Sequence, residues 1–263
     1  MSTTKPTFIF VPGAWHKASC WSKVTSNLST HGYKSLTPTL PSTLGDSSAT
    51  FSDDLNAVRS AITSETTQGR DVIVVTWSYG SLPGASAMRG LTKPKSGEEG
   101  ENMDEGANGH VIGFAMIATG FCATGFDFLT SGGGKPPPFW EISSSGFAEF
   151  TIDANGIREL FYHDLPVEEG AMWVGEVTKQ SLKSLNEGGE LVYAGWKDVP
   201  CWFLATKGDR GLPFEVQKML VGMAREQGGE VEMREVESGH APMLSRPEET
   251  TEFLLEAARA FVG

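Results

Sequence analysis

The sequence predicts an α/β fold: a mostly parallel sheet flanked by helices, with one helical insertion. Three observations carry that expectation. Short runs of β-branched and aromatic residues recur at 7–11, 33–37, 71–76, 111–118, 201–206 and 231–236. Segments with helical apolar spacing lie between them, and strands alternating with helices imply a parallel sheet covered on both faces. The rhythm then breaks once at length, between residues 121 and 200.

The first run, TFIFV, ends on Pro12-Gly13, and the second ends on Pro38 and Pro41. Ser52 is placed to cap a helix with Phe51, Leu55, Val58 and Ile62 on one face. The run VIVVTW leads straight into Ser78. Ser245-Arg246-Pro247-Glu248 reads as a capping box opening a last helix, with Phe253, Leu254, Ala257, Ala258 and Phe261 on its buried side. Residues 93–108, KPKSGEEGENMDEGAN, are polar, acidic and glycine-rich, and read as a surface loop. The long interruption holds SGGGKPPPFW, then helix-like pieces at 157–163 and 169–185, with Trp140, Trp173 and Trp196. The core is therefore expected from residues 1–120 and 201–263. A helical cap over the carboxyl end of the sheet is expected from 121–200.

Bulk properties narrow the function classes. The net charge is −12, so phosphate backbones and anionic lipid are poor partners. No apolar run reaches membrane length. Phe8 to Val11 is too short for the core of a signal peptide. Cys20, Cys122 and Cys201 are odd in number and widely spaced, which fits a reducing, cytoplasmic setting better than a disulfide framework. His31, His110 and His163 lack partners at metal-ligand spacing, so no metal is expected.

The chemistry concentrates in three segments. Thr76-Trp77-Ser78-Tyr79-Gly80 approximates G-x-S-x-G, the sharp turn that lifts a serine hydroxyl clear of a sheet. Gly80, Ser81, Gly84, Ala85 and Ser86 keep the following helix slim, and its N-terminus offers oriented N–H groups. A nucleophilic serine needs a base, and the base needs an orienting acid. Asp209 follows the run FLAT, and His240 follows VEMREV in Ser238-Gly239-His240. The order Ser78, Asp209, His240 is the one expected of a fold in which the serine sits on such a strand-to-helix turn. An N-cap role for Ser78 is the ordinary alternative, but three motifs in the right order favour the nucleophile. Asp127 is a rival acid. Cys122 reads as a small buried residue rather than a nucleophile.

Together FIFVPGAWHKASCW, VVTWSYGSLPG, LATKGDRGLPFEVQ and ESGHAPMLSRPEE resemble the α/β-hydrolase family. The likeness is to its cap-bearing subgroup of plant methyl-ester esterases and hydroxynitrile lyases. YHDLPVEEGAMWV resembles cap segments of fungal and bacterial members. The resemblance implies an oxyanion hole made by the N–H groups of Ala14 and Tyr79, no cofactor, and a small-molecule substrate. A homodimer is in keeping with it. It also implies a pocket to which Trp15, Trp140, Trp173 and Trp196 could contribute, with ordinary packing as the alternative for each. Hydroxynitrile lyases of this type carry threonine where this chain has Gly13, and lysine where it has Ala241. Cyanohydrin cleavage is therefore disfavoured, and an esterase or lactonase is expected. Lyase or isomerase chemistry on the same site and ligand binding without turnover are the alternatives. Activity is expected to fall below about pH 6.5, where an unperturbed histidine protonates.

Overall fold

The computed structural model describes residues 5–93 and 109–263. The expected loop at 93–108 therefore lies, apart from Lys93, outside the described residues. Strand β1 is Thr7–Val11, helix α1 Ser22–Thr30, β2 Ser35–Leu36, α2 Phe51–Thr66, β3 Val72–Trp77, α3 Ser81–Ala87 and β4 Val111–Ile117. The insertion holds α4 Phe128–Ser131, β5 Trp140–Ile142, β6 Phe147–Phe150, α5 Ala154–Phe161, α6 Val167–Glu176, β7 Gln180–Ser181 and α7 Lys183–Asn186. The chain then forms β8 Cys201–Thr206, α8 Phe214–Glu226, β9 Val231–Val236, α9 Pro242–Ser245 and α10 Pro247–Val262.

Six strands form one sheet in the order β2-β1-β3-β4-β8-β9. Every neighbouring pair is parallel. The expected strand at 33–37 shrinks to two residues because only Ser35 and Leu36 find partners on β1. Alternation divides the apolar side chains between two layers. Ile9, Val11, Val72 and Val74 face α2, α3 and α8 through Val58, Ile62, Leu82, Ala85 and Val221. Phe8, Phe10, Ile73 and Val75 face α1 and α10 through Val24, Leu28, Leu254 and Ala258. Each such side chain contributes roughly 1.5–3 kcal/mol by leaving water. Gly113 interrupts β4 because a Cβ there would stand 2.2 Å from the Phe261 ring of α10.

Three local expectations are corrected. The cap of α2 is Thr50, which exchanges bonds with Asp53 in a capping box, while Ser52 lies inside the helix. The box at Ser245 does not form: α10 starts on Pro247 after Arg246, and the Ser245 hydroxyl instead meets that of Ser238 at 2.9 Å. The insertion is not purely helical. β5, β6 and β7 form an antiparallel three-stranded sheet, and residues 169–185 are divided among α6, β7 and α7. At two to four residues, these strands are too short to impose a period on the sequence.

Candidate active site

Ser78 stands directly after β3 with φ at 53°. A non-glycine residue pays a steric penalty there, so the turn is held by its surroundings. Gly80 is one support. A Cβ on it would stand 2.5 Å from the Pro12 carbonyl oxygen, so the elbow lies directly on the loop after β1. Gly84 is another, since a Cβ there would stand 2.4 Å from the Thr76 Cγ2. The threonine in the first glycine position of the motif is thus accommodated by a glycine one turn into α3. From the end of β4, the Thr119 hydroxyl donates to the Ser78 carbonyl at 2.6 Å and meets the Ser81 hydroxyl at 2.8 Å.

The structure brings Asp209 and His240 together. With its proton on Nδ1, His240 donates to Asp209 Oδ2 over 2.8 Å, and both side chains are buried. Asp209 also receives the Thr206 hydroxyl at 2.8 Å, the Gly211 and Leu212 N–H groups at 2.8 Å each, and the Gln217 amide at 3.2 Å. Burial pushes this carboxyl up. The His240 charge and the hydrogen bonds from His240, Leu212 and Thr206 outweigh that and hold it below its ordinary value. It stays an anion at neutral pH. His240 Nε2 makes no hydrogen bond among the described residues. Asp127 is not part of this arrangement; it caps α4 through the Thr130 N–H.

Trp77 and the insertion fix His240. The Trp77 indole donates to the His240 carbonyl at 2.7 Å, and the Phe161 ring lies 5.5 Å from the imidazole. His163 donates to the Gly208 carbonyl at 2.9 Å, beside Asp209. Asp164 receives the Gly239 N–H at 2.7 Å, beside His240. A Cβ on Gly239 would stand 2.7 Å from the Asp164 carboxylate. One dipeptide of the insertion thus grips both loops. The motif YHDLP was visible in the sequence, but nothing local told what it would touch.

The loop after β1 closes over the elbow. A Cβ on Gly13 would stand 3.2 Å from that of Ser78. Trp15 has φ at 61°, and all its polar groups bond to the insertion. Its N–H donates to Gln180 Oε1, its carbonyl accepts from the Thr178 N–H, and its indole donates to the Ala148 carbonyl. The Trp15 N–H is thereby committed, while the Ala14 N–H has no partner among the described residues. The Tyr79 N–H lies in the first turn of the helical segment after β3, where no intrahelical acceptor exists.

His16 donates from Nδ1 to the Ala14 carbonyl at 2.6 Å and accepts from the Tyr162 hydroxyl at Nε2. Burial drives its pKa down to about 4; the Ala14 carbonyl opposes this and His240 adds to it. Of the four candidate pocket tryptophans, Trp15 and Trp140 come together, with ring centres 6.0 Å apart. Trp173 belongs to the apolar cluster that holds Phe161 and Tyr162, not to the one that holds Trp15 and Trp140. Trp196 bonds to the Cys122 carbonyl and lies against Phe121. Burial raises the Cys122 thiol to about 12, in keeping with an inert residue. Among the described residues no cluster of His, Cys, Asp or Glu could hold a metal ion, and no helix is long and apolar enough to cross a membrane.

The sequence and the fold have counterparts among known proteins. An alpha/beta hydrolase of Aspergillus novofumigatus, nvfD, is 26% identical over 97% of both chains. The crystal structure of the Arabidopsis methylesterase MES16 superposes with a TM-score of 0.71 at 18% identity, covering 97% of this chain and 99% of that one. Tomato methylketone synthase I, solved with 2-tridecanone, superposes with a TM-score of 0.74 at 19% identity, covering 98% and 99%. The model of the Alpha/beta hydrolase family matches residues 8–253, from the first strand to the last helix. With sheet, elbow and match all spanning the same residues, the chain belongs to the alpha/beta hydrolase family.

Proposed function

We propose that this chain is a carboxylic-ester hydrolase acting on an ester, thioester or lactone of a small to medium apolar molecule. The observation that carries the reading is the buried 2.8 Å contact of His240 with Asp209, together with a serine held at φ 53° directly after β3. Ser78 attacks the carbonyl carbon while His240 Nε2 takes its proton. Asp209 fixes the Nδ1–H tautomer and stabilises the imidazolium. The Ala14 and Tyr79 N–H groups receive the oxyanion; a donor of this kind contributes about 3 kcal/mol in the transition state. His240 then protonates the leaving alcohol, and a water activated by the same nitrogen releases the acid. The hydrolase name of the fungal relative and the methylesterase among the fold neighbours support this chemistry.

Fluorophosphonate labelling tests the reading, with wild type compared to Ser78→Ala beside a short p-nitrophenyl ester series. The expected result is labelling that vanishes in the variant, with ester turnover in wild type. A folded wild type that neither labels nor turns over would remove hydrolysis and leave ligand binding or non-hydrolytic chemistry.

A further inference from the structure

We infer that Gln180 is the positioning residue of the oxyanion hole, and that it ties both donor-bearing segments into one buried polar network. This rests on the ester-hydrolase reading above.

Gln180 lies on β7 of the insertion and is 0% exposed. Its Oε1 accepts from the Trp15 N–H at 3.1 Å. That bond fixes the peptide unit joining Ala14 to Trp15, whose carbonyl end is held by His16. The Ala14 N–H belongs to the preceding peptide, whose carbonyl, Gly13 O, accepts from the His16 N–H at 3.3 Å, so Ala14 is held between two anchored peptides and its N–H has a set direction. Gln180 Nε2 donates to the Ser42 hydroxyl at 2.9 Å and to the Ser184 hydroxyl at 2.6 Å. Ser42 donates through its N–H (2.9 Å) and its hydroxyl (2.5 Å) to Asp54. Asp54 also accepts the Tyr79 hydroxyl at 2.8 Å. The chain of bonds thus runs from the Ala14–Trp15 peptide through Gln180, Ser42 and Asp54 to Tyr79, whose N–H is the other donor.

All these side chains are buried, so the network excludes water and each member is satisfied by the others. The amide suits both ends of the job: only Gln or Asn offers an acceptor to the Trp15 N–H and donors to two hydroxyls, and Asn is one methylene shorter. No motif marks Gln180, because two of its three side-chain partners, Ser42 and Trp15, lie 138 and 165 residues away.

The test compares wild type with Gln180→Met, which keeps length and volume and removes every polar contact. An oxyanion donor shifted by about 1 Å loses roughly 10–100-fold in rate. The expected result is a fall of that size in kcat with KM within about threefold. Affinity for an aryl trifluoromethyl ketone, which adds to Ser78 and forms an oxyanion, should fall in parallel. Affinity for the matching methyl ketone should stay. A merely structural role would not separate the two ketones. Should Gln180→Met fail to fold, Gln180→Glu keeps the acceptor and loses the donors; it should show the same pattern at roughly 3–10-fold. A folded variant with unchanged kcat and unchanged trifluoromethyl ketone affinity overturns the inference. A wild type that binds no trifluoromethyl ketone and turns over no ester overturns the reading of the site, and this inference with it.

Discussion

At the amino end of the sheet Glu65 is fully satisfied. It accepts the Thr7 hydroxyl at 2.8 Å, Lys34 at 2.7 Å and Arg70 at 2.6 Å, while the Asp71 carboxylate receives the His110 N–H. At the carboxyl end, the non-glycine residues with positive φ among the described residues gather: Trp15, Ser78 and Ala118 follow the adjacent strands β1, β3 and β4. The first end is a relaxed knot of charge, and the second stores conformational strain. The contrast teaches that the candidate site is held against its own preference by neighbours, and that this holding is what its sequence context encodes.

Substituting Ser78 with glycine attacks the contrast most directly. Turnover should fall by at least about 10⁵-fold, as for loss of a nucleophile. Stability should rise by about 1 kcal/mol, because glycine adopts this φ freely. Thermal unfolding checks the second half, and an unchanged or lower melting temperature would mean that Ser78 bears no strain. Asp209→Asn comes next. It leaves the bonding geometry but favours the wrong tautomer of His240, and kcat should drop about 10⁴-fold with little change in KM.

The two ends should also fail in different pH windows. His16 has its folded pKa lowered to about 4 from 6.5, so the unfolded chain binds its proton first. Stability at the carboxyl end is therefore lost as pH falls from about 6.5 to 4, by about 3 kcal/mol. Urea titrations at several pH values measure this, and His16→Asn should flatten that slope. At the amino end Arg70, then Lys34 and Thr7, outweigh burial and hold Glu65 at about 2. Its stabilisation is present above pH 4.5 and lost as pH falls toward 2. Glu65→Ala should reduce stability at neutral pH by about 2 kcal/mol, because Lys34 is half-exposed and its share is screened. Ester turnover in this variant should match wild type. A loss of kcat there would break the separation of the two ends.

What the sequence made readable follows the same division. Strands running through the buried sheet announce themselves by uninterrupted Val, Ile and Phe. The segments around Ser78, Asp209 and His240 also follow local rules, since each sets a particular residue just after a strand. Asp209 and His240 are suggested by their places directly after the runs FLAT and VEMREV, while chain order alone leaves Asp127 as a rival. The insertion obeys no such rule. Its strands Trp140–Ile142 and Gln180–Ser181 are short, and Ile142 is exposed, so neither alternation nor apolarity marks them. The contacts of Asp164, Gln180 and Thr119 with the site join residues 38 to 165 positions apart, which no window of sequence can display. Ser52 and Ser245 were misleading as helix caps because Thr50 and Arg246 took those places in the folded chain.

The bonds from Trp15 to Thr178, Gln180 and Ala148 also bear on modular exchange. A segment grafted from a relative between β4 and β8 must supply an acceptor facing the Trp15 N–H, a donor for its carbonyl and an acceptor for its indole. A graft matched only for apolar contacts would leave those three groups without partners inside a dry interface, a penalty of about 1–3 kcal/mol for each. The insertion is thus less a detachable lid than the second half of the loop after the first strand, and recombination that respects only the boundaries of the sheet would separate two halves of one part.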